Sequence, residues 1–280
     1  METPAQYFSF ALSPNGHDLA FSRVAKDGTT DLWVRDLARG SESRLAVGAY
    51  DAQWSPDGAR LVYTAAEGGP PPRLFIKDVA GAYGPSELGK SPVPNFATGW
   101  SGDGRYIVST RIGTTTGSDV WLQRMPNGDA ERLPFNTPFN ETDGKLSTDS
   151  RWIAYVTDGS GDDDVWIASF PAGETRRQVS TRGGKSPQWG ANEREIFYVS
   201  REKELMSVSF RAEGGNVNIG TPRRLFHVPN LAEFDRLVYA TSNPFVVAPD
   251  GRRFLIAVRA RDPDAPPIRV VVNWPALLSR

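Results

Sequence analysis

The sequence predicts an all-β protein, a six-bladed β-propeller of four-stranded antiparallel blades. Three observations predict it. A turn of the type Ser-Pro-Asp-Gly returns six times along 280 residues, an apolar and aromatic strand follows each turn, and a further apolar strand lies at a near-fixed distance beyond.

The turn comes first, because it sets the phase. Its first residue is Ser13, Ser55, Ser101, Ser147, Gly190 or Ala248, so the intervals are 42, 46, 46, 43 and 58 residues. The best copy reads Ser55-Pro56-Asp57-Gly58. Proline presets φ at the first corner, Asp or Asn bonds its own backbone, and glycine accepts a positive φ. The strands that follow are Leu19-Ala20-Phe21, Leu61-Val62-Tyr63, Tyr106-Ile107-Val108, Ile153-Ala154-Tyr155, Ile196-Phe197-Tyr198 and Phe254-Leu255-Ile256. β-branched and aromatic residues of this kind favour a half-buried pleated surface.

A third strand is marked by Trp33, Phe75 and Trp121, each 20 residues after its turn, and by Trp166, Met206 and Val270 at 19, 16 and 22. A more polar fourth strand follows around Arg44, Glu87, Arg132, Gln178 and Arg224. Four strands in ~40–45 residues is the period of a propeller blade. The chain therefore divides as one domain, 1–280, with blades at about 7–51, 52–95, 96–142, 143–186, 187–230 and 243–280. The long last interval is an insertion over 231–242, read as a short helix or a loop.

Composition narrows the function. A net charge of -1 argues against nucleic acid or an anionic membrane as a partner held by bulk electrostatics. With no cysteine there are no disulfides, thiolate chemistry or Cys-ligated metals. The N-terminus has no basic head followed by an apolar run, and no window approaches the length of an apolar membrane span. The expectation is a soluble monomer without an export address.

The repeats also carry a resemblance. Ser-Pro-Asp-Gly followed by an apolar strand and Asp-Val-Trp, as at Asp119-Val120-Trp121 and Asp164-Val165-Trp166, resembles the TolB-like, WD-repeat-like propeller repeat. The runs Phe139-Asn140-Glu141, Asp149-Ser150-Arg151-Trp152, Gln178-Val179-Ser180-Thr181-Arg182-Gly183-Gly184, Pro187-Gln188-Trp189 and Val270-Val271-Val272-Asn273-Trp274 are similar to the C-terminal propellers of bacterial transmembrane serine/threonine kinases, as in acidobacteria. That resemblance implies the sensing or interaction part of a signalling protein, extracytoplasmic if it hangs from a membrane kinase. It implies no kinase activity in this chain.

No phosphate loop, dinucleotide fingerprint or Gly-x-Ser-x-Gly elbow occurs, so no cofactor and no catalytic residue is assigned. His17 and His227 sit in different blades without companion ligands. Asp162, Asp163 and Asp164 offer hard oxygen ligands after Gly161 but lack the alternating spacing of a calcium loop, so they are weak metal candidates. Trp33, Trp121 and Trp166 repeat in phase with the blades and are assigned to packing between sheets.

What remains is where the repeats differ. Segments leading into the innermost strand of each blade line the mouth of the central channel: Tyr50-Asp51, Asn95-Phe96, Asn140-Glu141, Lys185-Ser186 and Ser242-Asn243. A concave surface with convergent polar groups is the default binding site. The expected function is non-catalytic recognition of a protein or peptide partner there, or of a small-molecule ligand. The alternative is a propeller enzyme of lyase or hydrolase type, or a peptidase-associated propeller, for which Glu141, Asp51 and Lys185 would have to converge.

Overall fold

A computed structural model describes residues 7–258 except 26, 82, 114–116, 136, 192, 214–215, 229–230 and 232–242, with the backbone alone for residue 8 and for 268–271. Every described element is a β-strand. Blade one holds β1 (Tyr7–Leu12), β2 (Asp18–Val24), β3 (Thr30–Asp36) and β4 (Glu42–Ala46). Blade two holds β5 (Ala49–Trp54), β6 (Arg60–Ala65), β7 (Arg73–Asp78) and β8 (Ser86–Glu87). Blade three holds β9 (Asn95–Trp100), β10 (Tyr106–Ile112), β11 (Ser118–Arg124) and β12 (Asp129–Arg132), and blade four holds β13 (Glu141–Leu146), β14 (Trp152–Thr157), β15 (Asp164–Ser169) and β16 (Arg176–Gln178). Each of these sheets is antiparallel in chain order from the inside out.

Blade five departs from the four-strand pattern. It comprises β17 (Lys185–Trp189), β18 (Glu195–Val199), β19 (Glu204–Glu213), β20 (Asn216–Ile219) and β21 (Arg223–His227). Its third strand is so long that one half pairs β21 and the other half pairs β20, which makes five strands. Among the described residues blade six has three strands, β22 (Phe245–Val247), β23 (Phe254–Ala257) and β24 (Ile268–Val271). The proposed insertion 231–242 lies outside the described residues apart from Leu231, which bridges to Val258.

The inner strands touch in ring order, β1, β5, β9, β13, β17 and β22, and β22 returns to β1. Six apolar clusters correspond to the six junctions. Phe10 and Phe21 of blade one pack with Val246 and Ala257 of blade six, which closes the ring through buried apolar surface. Trp33 and Trp166 pack against such clusters, as the periodicity requires.

The repeated turn owes its rigidity to the serine. Ser13, Ser55, Ser101 and Ser147 are buried, and each hydroxyl donates to the Asn or Asp two residues on (2.7, 2.5, 2.7 and 2.7 Å). The same oxygen accepts from the backbone N–H five residues on, at 2.9 to 3.0 Å. The fourth turn residue has positive φ in every copy: Gly16, Gly58, Gly104, Ser150, Glu193 and Gly251.

Four inner strands begin earlier than the blade boundaries read from sequence, at Ala49, Asn95, Glu141 and Lys185. In three of them a residue in the left-handed region, Asp51 (φ 52), Asp143 (φ 55) or Ser186 (φ 54), forms a bulge. The extra residue breaks the two-residue alternation that reveals a strand in sequence, so its first residues read as connection.

Candidate functional site

The bulges organise the centre of the ring. Counted back from the turn marker, the fourth residue is Ser9, Asp51, Ala97, Asp143, Ser186 or Pro244, and the second is Ala11, Gln53, Gly99, Lys145, Gln188 or Val246. Asp51, Asp143, Ser9, Ser186, Gln53, Lys145 and Gln188 put polar groups at these positions, whereas Ala11, Ala97 and Val246 belong to the apolar clusters between blades. Non-glycine residues in the left-handed region store strain, a feature that clusters at functional sites.

Lys145 is the hub. Its ammonium, on blade four, donates to the Thr98 carbonyl of blade three and to Gln53 Oε1 of blade two, at 3.3 Å. Burial pushes its pKa down from 10.5 to about 8, while the charges of Asp143 and Asp51 pull it back up. Around it, Ser9 Oγ accepts the backbone N–H of Asp51 (3.0 Å) and bonds Ser22 Oγ (2.8 Å). Gln188 donates to Asn243 Oδ1 at 3.1 Å. Two tryptophans fix the walls: Trp54 Nε1 donates to the Ala11 carbonyl and Trp189 Nε1 to the Lys145 carbonyl, each at 2.9 Å and each crossing to the preceding blade or its neighbour on the ring.

The residues named from sequence divide between this network and the rim. Asp51, Ser186 and Asn243 are buried in the inner strands or just before them, and Asp51 and Asn243 join the network directly. Tyr50 faces Phe96 with ring centroids 6.3 Å apart. Asn95 is buried, and its Oδ1 has no hydrogen-bond partner among the described residues. Asn140 is tied to the rim: its Nδ2 donates to Asp158 Oδ2 (2.6 Å) and its Oδ1 accepts from the Ser118 N–H (2.9 Å). Ser242 lies outside the described residues.

The acid, base and cation nominated for catalysis have separate partners. Glu141 accepts from the N–H and hydroxyl of Thr137 (3.0 and 2.5 Å) and from Thr157 Oγ1 (3.3 Å), and burial pushes its carboxyl up. Lys185 pairs with Asp163 at 3.3 Å, and Asp51 acts on Lys145 instead. The three consecutive aspartates also diverge: Asp162 pairs with Arg201 (3.1 Å), Asp163 with Lys185, and Asp164 accepts from Ser180 (2.7 Å) and Ser160 (2.6 Å). Among the described residues no three His, Cys, Asp or Glu side chains converge as metal ligands.

Sequence reading missed Lys145, Gln53, Asp143 and Gln188. The signal was present, since aligning the six copies on the turn puts Gln53, Lys145 and Gln188 in one column, two residues before it. The bulge hid which way that column faces.

Six blades around a polar axis make this chain a β-propeller. It belongs to the TolB beta propeller domain family, whose model matches residues 50–261. Among solved structures it is similar to TolB from Acinetobacter baumannii, with 21% identity and a TM-score of 0.64 over 78% of this chain and 57% of that one. The chain thus spans little more than half of that protein. It is also similar to an oligogalacturonate lyase in complex with manganese (15% identity, TM-score 0.66, 98% of this chain and 91% of that one). The oligogalacturonate lyase of Vibrio parahaemolyticus is a further neighbour (12% identity, TM-score 0.62, 96% and 75%). At these identities the likeness is one of fold. No curated protein matches the sequence.

Proposed function

We propose that this propeller is a non-catalytic recognition module that takes a protein or peptide partner at the mouth of its central channel. One observation carries the reading: a buried ammonium ties three blades together beside two carboxylate-bearing bulges, so donors and acceptors are fixed around the axis before anything binds. A peptide presents both carbonyls and N–H groups, and such a mixed lining matches it. Preformed positions reduce the ordering cost of association. The separate partners of Glu141 and Lys185 favour display over chemistry. In this reading the propeller is the sensing or interaction part of a bacterial signalling protein, supported by the resemblance of its repeats to kinase-borne propellers.

The test is a thermal-shift screen of the purified chain against peptides and small ligands, repeated with Lys145→Met and Asp51→Asn. Compounds that bind the folded state raise the melting temperature by mass action. Shifts lost in both channel variants support the reading, and shifts that both variants retain move the site elsewhere. A compound chemically altered in a Lys145-dependent manner would replace recognition with catalysis.

A further inference from the structure

Blades one and three align residue for residue in sequence, because 88 positions separate Ser13 from Ser101 and no insertion intervenes before Arg44 and Arg132. The registers of the third and fourth strands agree as well, with Trp33 opposite Arg44 and Trp121 opposite Arg132. Their side chains repeat too. Arg44 pairs with Asp31 at 3.1 Å, and Arg132 with Asp119 at 2.7 Å. The Arg23 guanidinium lies 4.1 Å from the Trp33 ring centroid, and that of Arg111 lies 4.3 Å from Trp121.

One member is missing. In blade one, Glu42 accepts from both Arg23 (3.1 Å) and Arg35 (2.9 Å). The counterparts in blade three are Ala130, Arg111 and Gln123. Arg111 is only 7% exposed, its Nε has no hydrogen-bond partner, and among the described residues no carboxylate pairs with it. Gln123 is fully buried, gives one N–H to Ser109 Oγ (3.1 Å), and leaves Oε1 without a partner. Ile107 packs in the cluster shared by blades two and three, so Arg111, four residues on along the same strand, shares that face. A buried cation without a counter-charge is costly, and removing one partner of such a pair is the case that costs most. Ala130 is exposed, so the place of the absent carboxyl lies at the surface.

We infer that the edge of blade three facing blade two binds a carboxylate, which takes from outside the place that Glu42 fills within blade one. Arg111 supplies the guanidinium, held over Trp121, and Gln123 supplies the N–H it does not give to Ser109. The ligand is a small organic acid or an acidic side chain of a partner.

The closing experiment follows melting temperature of the whole chain in sodium acetate and with a short glutamate-rich peptide, against sodium chloride of equal ionic strength. Acetate or the peptide is expected to raise the melting temperature above the chloride control, and the arm that does so identifies the source. Ala130→Glu restores the blade-one arrangement in cis, so it is expected to raise the melting temperature with no ligand and to abolish the increment. Arg111→Met is expected to abolish the increment as well. An Ala130→Glu protein that is no more stable than the native chain, or that still responds fully to the carboxylate, would overturn the inference.

Discussion

Lys145 Nζ reaches Gln53 Oε1, 92 residues away in sequence, at 3.3 Å. The two residues occupy the same position in their repeats, two before the turn, on blades two and four. Such a contact is made only where inner strands approach a common axis, so it links ring closure to the polar centre. It also places a positive charge where water is largely excluded, and that has consequences in solution.

The first is an alkaline rise in stability. Burial holds the Lys145 amine at about 8, against 10.5 ordinarily, despite Asp143 and Asp51. At neutral pH the amine is protonated in both folded and unfolded chains, and the folded state bears the cost of the buried charge. As pH rises through about 8 the folded protein releases the proton while the unfolded chain keeps it, so stability increases up to the ordinary lysine value. The difference corresponds to on the order of 3 kcal/mol. Above pH 10.0 the sign reverses, because burial pushes the hydroxyls of Tyr63, Tyr155 and Tyr198 up to about 12 and the unfolded chain ionises first. Urea denaturation across this range should find a maximum between the two limits. In Lys145→Met the rise should vanish and the fall remain; a native profile flat above neutrality would contradict the assignment.

A second prediction concerns the turn. The Ser55 hydroxyl is buried, accepts from the Arg60 N–H at 2.9 Å and donates to Asp57 at 2.5 Å. Ser55→Ala removes that acceptor and should cost about 1–3 kcal/mol. The bond from Ser55 is also the main reason the Asp57 carboxyl sits below its ordinary range, so its titration should move up towards that range in the variant. Denaturation reads the first effect and NMR titration of Asp57 the second. An unchanged Asp57 titration would mean that the backbone N–H of Ala59, at 3.0 Å, suffices to hold it.

The turn and the hairpins were legible because their chemistry is local: proline, Asp and glycine fix corners within four residues, and the apolar strands lie beside them. The site was half legible. Asp51, Ser186 and Asn243 were found as places where the repeats differ, but Lys145 and Gln53 were not, because the residue count through a bulge no longer tells which face a side chain takes. Glu141 was nominated from sequence at the channel mouth, and only the fold shows Thr137 bonded to it. Strand β20 was missed for another reason, since β19 runs on past the sheet and a long strand split between two partners has the same alternation as a single edge strand.

Glu141→Gln should stabilise the protein at neutral pH. Burial raises the carboxyl above its ordinary value, so in the folded state the ionised form is disfavoured, a cost that disappears as pH falls through the folded pKa while the unfolded chain is still ionised. The amide keeps an acceptor for the Thr137 N–H, and the Thr137 and Thr157 hydroxyls can turn to accept from its NH2. The gain should shrink on mild acidification, and binding at the channel should be unaffected. A loss of binding in this variant would return Glu141 to the site.

Gly144 separates Asp143 from Lys145 and tests whether the scaffold or the side chains set the site. A Cβ at this position would stand 2.8 Å from Val120 Cγ1 and 2.9 Å from Val108 Cγ1, inside the packed face of blade three. These methyl groups belong to buried strands and have little room to withdraw, so Gly144→Ala should cost about 1–3 kcal/mol. The Gly144 carbonyl also accepts from Thr98 Oγ1 at 2.9 Å, so displacing β13 should disturb the Thr98 carbonyl that Lys145 uses. The expected result is a lower melting temperature together with a weaker alkaline rise, since a looser channel admits water to the amine. A protein that melts early but keeps the full rise would mean that Lys145 is held by its own contacts, and that the close approach of the blades serves stability alone.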